Sequence, residues 1–96
     1  MAITVLITRQ FKKDAIRKAF DLFLKLRSLA TLEAGYISGQ TMASVGDPNK
    51  IIVLSTWDSK EKWEAWMAND LRKDYSEKMQ DLMEGPETVE VLRVMT

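Results

Sequence analysis

Cysteine and histidine are both absent from the 96 residues. Without thiols there is no disulfide framework, no thiolate nucleophile, no cysteine-held zinc and no iron–sulfur cluster. Without imidazole there is no Ser-His-Asp or Cys-His relay, none of the usual zinc or iron ligands, and no proximal histidine for haem. Glycine (4) and proline (2) are scarce, and neither a glycine-rich phosphate loop nor an acidic calcium loop occurs. No metal site is expected. No uncharged apolar run approaches the roughly eighteen residues of a membrane span. The apolar start, Met1 to Ile7, is too short for a signal-peptide core and lacks a basic flank, so a soluble cytoplasmic protein is expected. Charge of one sign is lacking too: 14 basic and 14 acidic side chains cancel. No overall field therefore exists to hold nucleic acid or an anionic membrane. What chemistry remains must run on carboxylates, Lys, Arg, Tyr, hydroxyls and Trp.

The chain is 46 % apolar and 29 % charged, ordinary for one folded domain spanning residues 1–96. Residues 2–10 alternate Ile3, Val5 and Ile7 against Thr4, Leu6 and Thr8, which predicts a strand. Polar residues at 12–14 open a helix on which Ile16, Ala19, Phe20, Phe23, Leu26 and Ala30 recur at helical spacing. Gly35 is its expected C′ stop. Residues 36–45 predict a weaker strand, 46–49 a turn, and 50–57 (KIIVLSTW) the strongest strand in the chain. Asp58 with Glu61 reads as a capping box. It opens a second helix, with Trp63, Met67, Leu71, Tyr75, Met79 and Leu82 along one face and a break near Asn69-Asp70. Gly85-Pro86 ends that helix, and 89–95 forms the last strand. The order is β-α-β-β-α-β. Right-handed crossovers put both helices on one face of a four-stranded antiparallel sheet, a ferredoxin-like α+β sandwich.

The other sheet face should alternate apolar with polar if water covers it. It does not, because the third strand carries Ile51/Val53 on one side and Ile52/Leu54 on the other. The last strand repeats this with Val89/Val91 against Leu92/Val94. A homodimer packed sheet face to sheet face is the expected cover.

The first strand ITVLITR, the glycine after the first helix and the run TWDSKEKWEAWMAND (56–70) together resemble the antibiotic biosynthesis monooxygenase family of dimeric α+β barrels. The resemblance spans essentially the whole chain and is most specific over Val53 to Asp70, where Trp57, Ser59, Lys60, Trp63 and Trp66 keep the family's layout. Members include haem-degrading enzymes and cofactor-free oxygenases of anthrones and quinols. The haem branch would place an Asn at Thr8, a Trp at Trp66 and the iron-ligating His at Ser76 or Tyr75. Only the Trp is present, so that route is not expected. The cofactor-free branch implies a monooxygenase acting on a small quinol, anthrone or polyketide-type aromatic with no cofactor. The alternatives are a non-catalytic dimeric module for a hydrophobic small molecule, and a haem binder without turnover.

Trp66 is then a pocket wall, or core. Tyr75 follows Leu71 by four and could donate its phenol to a substrate oxygen, or sit in the core with its hydroxyl at the rim. Arg93 shares a face with Val91 and Met95, and either reaches the cavity to stabilise an enolate or pairs across a dimer seam. Thr8 enters only through the resemblance. Phe20, Phe23 and Met42 are pocket walls or plain core, Trp63 is core, and Trp57 is core or dimer seam. Asp70 and Asp74 lie near the right helix for a base but equally suit solvated caps. No base is assigned.

Overall fold

In the computed structural model, which describes residues 1–96, the expected periodicities resolve into seven elements. They are β1 (Ile3–Gln10), α1 (Ile16–Ala30), β2 (Tyr36–Ala43), β3 (Lys50–Trp57), α2 (Lys60–Met67), α3 (Asp70–Gln80) and β4 (Thr88–Leu92). The sheet order is β2-β3-β1-β4 with every pairing antiparallel. This is the ferredoxin-like α+β arrangement, with three helices in place of two.

Register decides which residues the helices cover. Ile3, Val5, Ile7 and Arg9 stand opposite Trp57, Ser55, Val53 and Ile51. Since antiparallel partners share a face, these eight form the helix side of the two central strands. Thr4, Leu6 and Thr8, paired with Thr56, Leu54 and Ile52, form the open side. Two apolar clusters fill the space under the helices. One is built on Phe11, Ala15, Ala19, Phe23, Ile51, Met79 and Met83. The other is built on Val5, Ile7, Ala30, Trp57 and Trp66, and Leu26 packs against both.

The last helix ends at Gln80, ahead of Gly85-Pro86, and β4 stops at Leu92 rather than 95; three further differences from the sequence expectation have a clear local reason. The cap of α2 is Ser59, whose hydroxyl accepts from the Lys62 amide at 3.2 Å. Asp58 is still held by the strand layer, its N–H donating to the Gly35 carbonyl at 2.8 Å. Gly35 does not stop α1, which ends at Ala30 with Thr31 as cap. It opens β2 instead, at φ +88°, where a Cβ would lie 2.6 Å from the Lys62 side chain. Finally, the break foreseen near Asn69 is complete. Asn69 turns extended (ψ 129°) and its side chain accepts from the Arg72 amide at 3.0 Å, starting α3 afresh. A good Asn cap is worth about 1 kcal/mol.

Candidate functional site

A cavity lined by 16 residues opens between the helix side of the sheet and the helices. A water molecule's centre can move through about 80 Å³ of it. At roughly 10–15 Å³ per water on that measure, it holds about five to eight waters. Ile7 and Val53 form its floor, and Leu26 and Ala30 of α1 one flank. Five of the lining residues are aromatic: Phe23 from α1, Tyr36 from β2, Trp57 from β3, and Trp63 and Trp66 from α2, beside the polar Gln40, Thr41 and Ser55.

The aromatic wall is tightly arranged. Trp57 stacks on Trp66 with ring centroids 6.3 Å apart and 24° between planes, and meets Tyr36 edge-on at 5.4 Å. Its indole N–H donates to the Ser55 hydroxyl at 3.1 Å, so the most buried indole keeps its polar atom satisfied. Gly39 makes room for Tyr36: a Cβ there would come within 2.6 Å of the phenol oxygen.

Three arginines close the cavity. Arg9 occupies a helix-side position of β1 that the alternation would reserve for an apolar residue, and is buried. Its Nε donates to one oxygen of Glu87 at 3.0 Å, and its Nη2 stands 3.0 Å from the same oxygen as an ion pair. Arg72 of α3, also buried, brings Nη2 within 3.5 Å of the other oxygen. Two guanidiniums thus share one carboxylate, and Arg27 adds a third charge from α1 with no ion pair of its own. Burial pulls the Arg9 pKa below its ordinary value; Glu87 opposes that shift and Arg72 adds to it. A guanidinium nonetheless stays protonated. The result is an aromatic slot with surplus positive charge, suited to a planar ring and to an oxyanion on it.

Of the residues picked from the sequence, Trp66 and Phe23 line this cavity. Trp63, expected in the core, is half-buried and lines it as well. Tyr75 does not: it sits half-buried between α1 and α3, with the ammonium groups of Lys25 and Lys78 at 5.8 and 5.4 Å from its ring centre. Thr8 and Met42 both pair with Ile52 on the open side of the sheet, away from the cavity. Arg93 lies beyond the end of β4 and is exposed, as are Phe20, Asp70 and Asp74. None of these four lines the slot. Sequence reasoning missed Tyr36, Arg9, Arg27 and Arg72. A charge at an apolar-parity position of a strand was the available signal for Arg9. For Arg72 it was the fresh cap at Asn69.

No cluster of three metal-capable side chains exists. Nor do the cavity residues suit haem, because none is an imidazole, thiol or thioether, and the Tyr36 hydroxyl is turned against Gly39.

Fold and slot together define a class, the small ferredoxin-like α+β domains with an aromatic-lined cavity beneath the helices. The family model for antibiotic biosynthesis monooxygenases matches residues 2–78, and the chain belongs to that family. Among solved structures it is similar to a conserved protein from Methanosarcina mazei, at 17 % identity and TM-score 0.92, covering 97 % of this chain and 92 % of that one. A protein from Mycobacterium tuberculosis follows at 16 % and 0.90, covering 100 % and 97 %. SnoaB, a cofactor-independent oxygenase from Streptomyces nogalater, superposes at 0.88 with 7 % identity, covering 99 % and 94 %. At these identities the likeness is one of fold. No curated protein matches the sequence.

Proposed function

We propose that the protein is a cofactor-independent monooxygenase of a small aromatic, a quinol or an anthrone-like carbon acid. The observation that carries this is the aromatic slot ended by arginines. No carboxylate lines the slot, so no side chain there is an obvious base. A positive field does the equivalent work, since nearby cations favour the ionised form of a bound enol or phenol and lower its pKa. Proton loss to water then suffices. The electron-rich anion reduces O₂ directly: for an anthrone-like substrate the balanced change is an activated CH₂ plus O₂ giving C=O plus H₂O, and for a quinol a ring C–H becomes C–OH as the ring goes to the quinone, the second oxygen again leaving as H₂O. Protein groups supply orientation between the indoles, exclusion of water, and charge for the developing oxyanion. Membership of the family, and a cofactor-independent oxygenase built on the same fold, support the reading.

The working unit in this proposal is a homodimer through the open sheet faces. Leu6, Ile52 and Leu54 are only half-covered there, and Met42 and Leu92 are exposed. No helix is long and apolar enough to cross a membrane. The lack of a cavity base favours one competing reading, a module that binds an aromatic without turning it over. Oxygen uptake by metal-free protein across a panel of quinols and anthrones separates the two. Uptake faster than in buffer is expected; binding without any acceleration establishes the module.

A further inference from the structure

The donors at the charged end of the cavity are not equally occupied. Two nitrogens of Arg9 are spent on Glu87 at 3.0 Å. Arg72 reaches the same carboxylate with one nitrogen only, at 3.5 Å, too long for a strong hydrogen bond. Arg27 has no acidic partner. Arg9 and Arg72 face one anion, Glu87, and Arg27 is a third cation on the same cavity lining, yet the Arg72 side chain is over nine-tenths buried. A buried charge without full compensation is costly, and it makes the slot a standing site for a second anion.

We infer that Arg72 and Arg27 form an anion subsite, and that the ligand is an aromatic acid carrying a carboxylate on the ring the tryptophans hold. This rests on the reading that the slot takes an aromatic, and deepens it by naming the charge. Two features select a ring carboxylate. A planar guanidinium matches a planar carboxylate through paired N–H donors. The cavity, about 80 Å³, has room for a substituted aromatic ring beside these donors. Glu87 already shows the chemistry: it is the protein's own carboxylate, held between Arg9 and Arg72 from the segment before β4.

The test uses calorimetric titration with gentisate, a quinol bearing a carboxylate, against its neutral amide. A hydrogen bond to a charged partner is worth enough to give the acid about a tenfold or greater preference. That preference should fall to near parity in Arg72→Gln, and should shrink with added salt as far as the site is open to solvent. Because Arg72→Gln also disturbs the contact with Glu87, Arg27→Gln on the exposed face of α1 provides a second variant whose fold is not at risk, and it too should lower the preference. Equal affinity for acid and amide overturns the inference. So does a preference that survives both substitutions, or no heat from gentisate up to about 10 mM, weaker than any specific site. Oxygen uptake is read separately. Neutral hydroquinone oxidised with no acid preference leaves the oxygenase standing and removes the anion subsite; acid preference without oxygen uptake does the reverse.

Discussion

Replacing Glu87 by Gln is the most informative single perturbation, because it removes one charge and almost no volume. In the folded protein that carboxylate accepts from Arg9 at 3.0 Å and faces Arg72 at 3.5 Å, and the two arginine side chains are only 6 % and 8 % exposed. Glutamine can still accept one hydrogen bond, but it leaves two buried guanidiniums with no counter-charge. Stranding a buried cation costs about 3–5 kcal/mol. Glu87 itself is 22 % exposed, so water reaches the cluster and the lower end, about 3 kcal/mol, is the expected loss. For a domain of this length each kcal/mol moves the thermal midpoint by about 4–8 °C, so a fall of about 12–24 °C is expected. Calorimetry or near-UV dichroism at fixed protein concentration measures it, since any dimer makes the midpoint concentration-dependent. The double variant Arg9→Met, Glu87→Gln should recover much of the loss, because one stranded cation is gone. A single-variant loss under about 1 kcal/mol, the range of exposed pairs, would show that water already screens the cluster. The account of a charged cavity would then fail.

Trp66→Phe should keep stability within about 1.5 kcal/mol while weakening aromatic binding in calorimetry, because stacking area on one side and an N–H donor are lost. Trp66→Ala should cost about 3–5 kcal/mol and lose binding beyond what unfolding accounts for; a loss that only tracks unfolding would make Trp66 core alone. Gly39→Ala drives a methyl to within 2.6 Å of the Tyr36 hydroxyl; displacing that ring should cost about 1–3 kcal/mol and narrow the slot, read as weaker binding of any aromatic. Leu54→Glu places a charge in the middle of the open sheet face and should bring the mass seen in light scattering down to that of one 11.0 kDa chain. A wild-type protein already of that mass at micromolar concentration removes the sheet-to-sheet dimer.

The fold was legible because strands and helices here follow their periods. The third strand, Lys50–Trp57, has the bounds its β-branched run announces, and α1 buries Ala19, Phe23 and Ala30 from the expected stripe. The site was legible for Phe23 through the apolar stripe of α1, and for Trp66 through the family resemblance rather than through patterning. The stripe Trp63, Met67, Leu71, Tyr75 and Met79 assumes one continuous helix. With the chain restarting at Asn69, Leu71 is 55 % exposed and Arg72 is buried next to it. A slip of one position in helical phase thus hides a cavity residue behind a hydrophobic one. Thr8 and Met42 fail differently. They belong to the side of the sheet that pattern alone marks as half-apolar, and nothing in a single strand says which side holds a cavity. Glu87 lies outside every periodic element, and its contact with Arg9 spans 78 residues of sequence. Such a pairing leaves no trace in local composition.

The interruption at Asn69 has a dynamic consequence. It leaves α2 only eight residues long, below the length at which a helix persists in water by itself. What holds it is the burial of Trp66 and the partial burial of Trp63 over the slot, with Ser59 and Asn69 anchoring its two ends. Those indoles are also the wall that a ligand would touch. Helix formation in this segment and filling of the slot are therefore coupled: an occupant that stacks on the indoles should slow the fraying of α2. Amide exchange in residues 60–67 should accordingly report occupancy more sensitively than exchange in β3.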